Sequence, residues 1–343
     1  MRSTSRGLAA GRAAWSKHFP GAAVALLVGM AAAFLGSHYK GSMLLFALLL
    51  GMALNFLTED TRLSPGIQFV AGTVLRIGVA LLGLRLTWDH VSALGAHTVL
   101  ALAVGVAATV LCGLATARLL GLERDLGLLV GGATAICGAS AALAIASVLP
   151  QREGHEKRTT LTVIGVTTLS TAAMVLYPAL TGWLGFDATQ SGIFIGATIH
   201  DVAQVVGAGF SLSTVAGDAA TVTKLIRVAF LMPVLLCIAL ALRGGSARGS
   251  GAPLLPWFAV AFALLMLLNS TGWVAPGVQQ AAGQASQACL VVAIAAVGLK
   301  TSLRDVASLG WRPVLLLVLV TLFLAALGAA YVHWLGSSNM ETT

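Results

Sequence analysis

Charge is what this chain has least of. Only 9% of its 343 residues are Asp, Glu, Lys or Arg, against about 25% in an average soluble domain. No polar stretch is long enough for an extramembrane domain, the longest being the N-terminal arm and the loop from Gln151 to Thr159. Soluble-enzyme templates therefore have nowhere to fold. A G-x-x-x-x-G-K-[ST] loop is missing as well, which excludes ATP-driven work within this chain. The cysteines Cys112, Cys137, Cys237 and Cys289 lie in apolar segments, without C-x-x-C spacing or histidines at metal-ligand spacing. That argues against a zinc site or a disulfide framework, and no cofactor is implied. Three of them read as small packing residues, and Cys137 stays open. The formal net charge of +8 is spread over short loops, the pattern of cytoplasmic anchoring and not of a nucleic-acid surface.

What the chain has in abundance is apolar length. Hydrophobic residues make up 58%, and runs long enough to cross a bilayer recur along nearly all of it. They centre on 20–37, 41–57, 66–84, 91–117, 125–149, 160–185, 190–212, 221–242, 254–271, 281–299 and 313–336. This is the pattern of an all-α polytopic membrane protein with about ten or eleven transmembrane helices. The start, "MRSTSRGLAAGRAAWSKH" before the apolar run Pro20 to Gly36, is compatible with a signal peptide. It reads better as a basic cytoplasmic arm, 1–19, followed by an uncleaved first helix. One transmembrane domain, 20–337, and a short tail, 338–343, complete the expected organisation.

Two internal similarities divide that domain. "VALLGLRLTWDHVSALG" (Val79 to Gly95) resembles "IAAVGLKTSLRDVASLG" (Ile294 to Gly310), aligning Gly83 with Gly298 and Arg85 with Lys300, while Asn55 aligns with Asn269. An odd number of expected crossings separates the copies, so the repeat is inverted, with halves at about 41–186 and 189–337. The asparagines read as interhelical glue. A weaker pairing sets "LGLLVGGATAICGASAALA" (Leu126 to Ala144) beside "SGIFIGATIHDVAQVVGAG" (Ser191 to Gly209). Loop charge sharpens the second pairing. With every span crossing and the N-terminus inside, the basic loop Pro150 to Thr160 falls outside, against the positive-inside rule. Interrupted or re-entrant segments at 125–149 and 190–212 would turn that loop, and Arg243 to Arg248, inward. Irregular backbone at membrane depth is tolerated only where protein or a wet cavity surrounds it.

Both suspected breaks carry polar residues. In the first, Gly131, Gly132 and Gly138 flank Thr134, Cys137 and Ser140; this reads either as close packing of small residues or as a discontinuous helix offering N–H groups to an anion. In the second, Thr198, His200, Asp201 and Gln204 fall within seven residues. Polar groups in hydrocarbon are costly and usually face a cavity, and an imidazole beside a carboxylate can exchange protons. A satisfied structural network is the alternative. Lys224 and Arg227 follow, three apart on one helix face; they are either snorkelling anchors or a clamp for an oxyanion. Arg76 sits deeper, as a pore-facing cation or the partner of a carboxylate such as Asp201.

"RIGVALLGLRL", "GGATAICGASAALA", "GATIHDVAQVVGAG" and "DAATVTKLIRV" together resemble the family of bacterial inner-membrane proteins labelled sulfate exporters, from about Leu44 to the last helix. That family is similar to a wider group of cation/proton antiporters and bile acid symporters. The resemblance implies inverted five-helix units, crossed discontinuous helices and alternating access, and it would pair the span at 125–149 with that at 281–299. The expectation is a secondary transporter of a small anion (sulfate, a sulfonate or a related oxyanion) coupled to H+ or Na+ in the bacterial inner membrane. Its oligomeric state is open. The rival readings are an anion channel, or an intramembrane serine hydrolase with Ser140 as nucleophile and His200 as base.

Overall fold

The computed structural model describes residues 2–39, 41–92, 94–241, 256–301 and 310–340, with side chains from 17 to 337. In chain order the helices are α1 (Arg2–His38), α2 (Met43–Ala53), α3 (Ser64–Phe69), α4 (Leu75–Leu82), α5 (Trp88–Ser92), α6 (Gly95–Leu119), α7 (Arg124–Ala135), α8 (Ala139–Val148), α9 (His155–Trp183), α10 (Ala188–Thr198), α11 (Val202–Leu212), α12 (Thr214–Ala229), α13 (Leu231–Ala241), α14 (Trp257–Ser270), α15 (Pro276–Lys300) and α16 (Trp311–Met340). No strand occurs among the described residues. Among the described residues, seven helical stretches are long and apolar enough to cross a membrane: Lys17–His38, Ser64–Leu82, Gly95–Leu119, His155–Trp183, Thr214–Ala241, Pro276–Lys300 and Trp311–Ser337. The protein is therefore an all-α, multi-pass membrane protein. The expected inward turn at Arg243 to Arg248, and the repeat copy between 302 and 309, lie outside the described residues.

Two compact units make up the chain: Met1–Arg85 with Ala261–Ser302, and Leu86–Val260 with Leu303–Thr343. In the first, α15 packs against α1, α2 and α4. Gly51 of α2 and Gly298 of α15 bring the two backbones together, since a Cβ on Gly298 would lie 3.0 Å from the Gly51 Cα. Small residues permit such close approach where apolar burial between helices offers little driving force. Beside this contact, Asn55 Nδ2 donates to the Leu299 carbonyl at 2.6 Å. Asn269 accepts from Gln279 Nε2 at 2.7 Å, so both asparagines do join helices. A π-helical turn, Val70–Val74, separates α3 from α4. Because α15 runs unbroken over 25 residues, it is not the interrupted partner of the 125–149 span that the family resemblance implied.

The second unit contains both interruptions. In α7 and α8 the break falls at Ile136–Gly138, where Gly138 has φ +64°. An unbroken rod would put Gly132 and Ile145 about 20 Å apart, yet a Cβ on Gly132 would collide with Ile145 Cδ1. At the open end, Arg158 at the start of α9 pairs with Glu123, just before α7, at 2.7 Å. The segment thus enters, turns and leaves on the side it came from. It is a re-entrant hairpin.

The same geometry recurs at 188–212. Gly192 lies against Ala216 and Gly196 against Ala220, so α10 runs alongside α12 in the same direction. Gly209 lies against Gly217, across the turn at Ser213, so α11 runs against α12. α10 and α11 are therefore antiparallel, and this segment too is re-entrant, with its tip at Ile199–Asp201. The hairpin α10–α11 begins after the 29-residue α9, so the two open ends lie at opposite ends of that helix. Both α9 and α16 act as struts. α9 passes from the Glu123 ion pair, by the tips at Ser170, to Tyr177, whose ring meets Phe194 of α10 at 5.3 Å. α16 packs Leu317 into the cluster around Leu126 and Leu161, and further on lays Gly328 against Thr198 and Gly336 against Gln190.

Candidate functional site

Where the hairpin tips meet, helix ends leave carbonyls without partners. At the end of α7, the Gly132 and Ala133 carbonyls accept from the amides of Ile136 and Gly138 at 3.1 and 2.8 Å. The next three turn to two side chains of α12. Arg227 Nη2 donates to the carbonyls of Thr134 (2.9 Å) and Ala135 (2.6 Å), and Nε donates to Ala135 at 2.9 Å. Lys224 Nζ donates to Ile136 at 2.7 Å. On the second hairpin, Arg227 Nη1 donates to Gly196 (3.0 Å) and Ile199 (3.1 Å), and Lys224 Nζ to Ile199 (2.8 Å) and His200 (2.5 Å).

A guanidinium carries five N–H groups and an ammonium three. All eight are used here, and every acceptor is a backbone carbonyl at a tip. Lys224 and Arg227 are 0% and 1% exposed, a placement that costs several kcal/mol per charge unless hydrogen bonds offset it. The C-terminal ends of α7 and α10, each carrying about half a negative charge, converge on these cations. Neither residue snorkels as an anchor, and no donor remains for an oxyanion clamp of the kind the spacing suggested.

The other candidates fall into three settings. His200 is fully buried, with Nδ1 3.1 Å from the Thr198 carbonyl and Nε2 3.0 Å from Thr321 Oγ1. Both ring nitrogens are engaged within the fold, so His200 is not the base of a Ser140 dyad. Thr198 turns its hydroxyl to the Phe194 carbonyl at 2.6 Å, and Gln204 reaches Thr171 Oγ1 at 3.4 Å. Thr134 and Cys137 are buried at the first tip, where the Thr134 hydroxyl has no hydrogen-bond partner among the described residues.

Asp201 is only half-buried. Its carboxylate caps α11 by accepting from the Ala203 amide at 2.8 Å, while its own amide donates to Ser170 Oγ at 3.0 Å. Ser140 is exposed in the first turn of α8, whose N-terminus has no side-chain cap. Arg76 lies in the first unit, exposed on α4.

Ser170, Thr171 and Thr321 went unread in the sequence. A signal was there for the first two, in the hydroxyl-rich "TTLSTAA" of an otherwise apolar span. Thr321 stands alone in "LVLVTLFLAA" and gave none.

Fold and site together define a class: a multi-pass helical membrane protein built around two opposed re-entrant hairpins whose tips are held by buried cations. The chain belongs to the family described as conserved hypothetical protein 698, whose model matches residues 20–317. A UPF0324 membrane protein named TauZ, from Paracoccus denitrificans, is 52% identical over 323 residues, covering 93% of this chain and 96% of the relative. One from Rhizobium meliloti is 50% identical, covering 94% and 95%. Another, from Chlorobaculum tepidum, is 47% identical, covering 94% and 91%.

Proposed function

We propose that this protein is a secondary active transporter of a small anion, of the sulfate or sulfonate class, working by alternating access in the bacterial inner membrane with its N-terminus inside. The observation that carries this reading is the paired tips: two backbone interruptions at mid-chain depth, opened from opposite ends of α9, meeting around two buried cations. Lys224 and Arg227 give the tips a positive potential even though their N–H groups are spent, and low-dielectric surroundings prolong its reach. The anion sits at the uncapped N-terminus of α8, where Ser140 adds a hydroxyl and the helix dipole favours negative charge. Asp201, the half-buried carboxylate at the other tip, carries the coupling proton. On this reading the basic loop Pro150 to Thr160, which follows the first hairpin, is inside, in keeping with the positive-inside rule.

Thermal unfolding of the purified protein against sulfate, sulfite, alkylsulfonates and carboxylates tests the substrate class, because a ligand of the folded state raises the melting temperature. At least one oxyanion is expected to raise it, in a saturable way; a flat response to the whole panel would overturn the anion reading. In proteoliposomes, Asp201→Asn is expected to remove the dependence of flux on a pH gradient. Unchanged dependence would remove Asp201 from the coupling role.

A further inference from the structure

Carriers with interrupted helices hold a coupling Na+ on unwound carbonyls and on the C-terminal ends of half-helices. The corresponding oxygens in this protein already have a cation. Lys224 Nζ is bound by one carbonyl from the first tip, Ile136, and two from the second, Ile199 and His200. It is monovalent, wholly buried and tethered, so it has no occasion to exchange with solvent. Around it the cradle is fixed independently. Arg227 holds the Ile199 carbonyl that Lys224 also uses, as well as the Ala135 carbonyl adjoining Ile136. Rings of backbone carbonyls held in this way are how proteins replace the hydration shell of an alkali ion.

We infer that the Lys224 ammonium is the resident occupant of the coupling-cation position, so that the protein works without sodium, and that removing this side chain unmasks a monovalent-cation site on the carbonyls of Ile136, Ile199 and His200. The inference rests on the carrier reading only for the word coupling. A residue that merely staples two hairpins makes a different prediction, because its loss cannot be made good by a free ion.

The test is thermal unfolding of the full-length purified protein in choline, lithium, sodium and potassium chloride at one ionic strength. The wild type is expected to melt at the same temperature in all four. Lys224→Ala is expected to melt lower in choline and to recover by about 3 °C or more as sodium or potassium saturates the vacated position. Lys224→Met, which fills the space without charge, is expected to melt lower and to ignore the cation. Saturable stabilisation of the wild type by any alkali ion would overturn the inference, as would a folded Lys224→Ala indifferent to all of them. Failure of Lys224→Ala to fold even in sodium or potassium would overturn it too, because the ion would then not be replacing the ammonium. None of these readouts involves flux or an anion, so their failure leaves the anion-transport reading standing.

Discussion

At the scale of single residues, the two cations of α12 are structural before they are anything else. Arg227→Met would leave the carbonyls of Thr134 and Gly196 without the donor they now have, and each buried acceptor so stranded costs about 1–3 kcal/mol. A large fall in melting temperature and in yield is expected, whereas Arg76→Met, at an exposed position, should change stability by less than about 0.5 kcal/mol. Equal effects on thermal unfolding would return Arg227 to the role of an interfacial anchor. Ser140→Ala should behave in the opposite way, weakening the anion-induced thermal shift while leaving the ligand-free melting temperature unchanged. Labelling by a fluorophosphonate is not expected at Ser140, because both nitrogens of His200 are committed elsewhere.

At the scale of elements, the hairpins make a topological prediction. In a cysteine-free background, cysteines at Arg124 and Arg152 should be labelled from one side of the membrane, and cysteines at Thr189 and Thr214 from the other. Labelling of Arg124→Cys and Arg152→Cys from opposite sides would mean that 125–149 crosses. Gly138 makes a second prediction, about the first tip. With φ +64° and ψ −126°, it occupies backbone space that a side chain enters at a cost of about 1–3 kcal/mol. The nearest atoms to an added Cβ there, on His200, lie at an ordinary 3.6 Å, so the penalty is conformational and not steric. Gly138→Ala should therefore lower the melting temperature. Gly182→Ala, within α9 with nothing inside 4 Å of its Cβ position, should be neutral or stabilising by up to about 1 kcal/mol. Matching losses at the two positions would show that the tip geometry is not what Gly138 provides.

At the scale of the whole molecule, what the sequence discloses depends on how local the signal is. Apolar length is local, so the helical, multi-pass class was legible, and so were the two interruptions, through Gly131, Gly132 and Gly138 and through His200 and Asp201. Loop charge added a reason for the segments to turn back, because Arg152, Lys157 and Arg158 sit badly outside. What one chain could not disclose was which polar groups meet. Lys224 contacts Ile136 across 88 residues and Arg227 contacts Thr134 across 93, and no local spacing encodes such a meeting. Their spacing of three correctly indicates one face, and by itself leaves open an interfacial anchor or an oxyanion clamp; in the structure that face meets backbone carbonyls. The alignment of 126–144 with 191–209 proved structurally apt, since both are hairpins with "GAT" just before the turn. At this scale the expectation is that a charged thiol reagent modifies Ser140→Cys quickly and more slowly once an oxyanion is bound. An unaltered modification rate at a saturating anion concentration would separate the α8 N-terminus from the binding step.

The eight bonds from α12 end on main-chain oxygen, which every amino acid possesses. Whatever stands at 134, 135, 136, 199 or 200 presents the same grip, provided the turn itself survives; Gly196 is held to its type, because an added Cβ would lie 2.5 Å from the Ala220 carbonyl oxygen. Substitution at those five places can therefore drift without loosening the hold, as long as the two residues of α12 are kept.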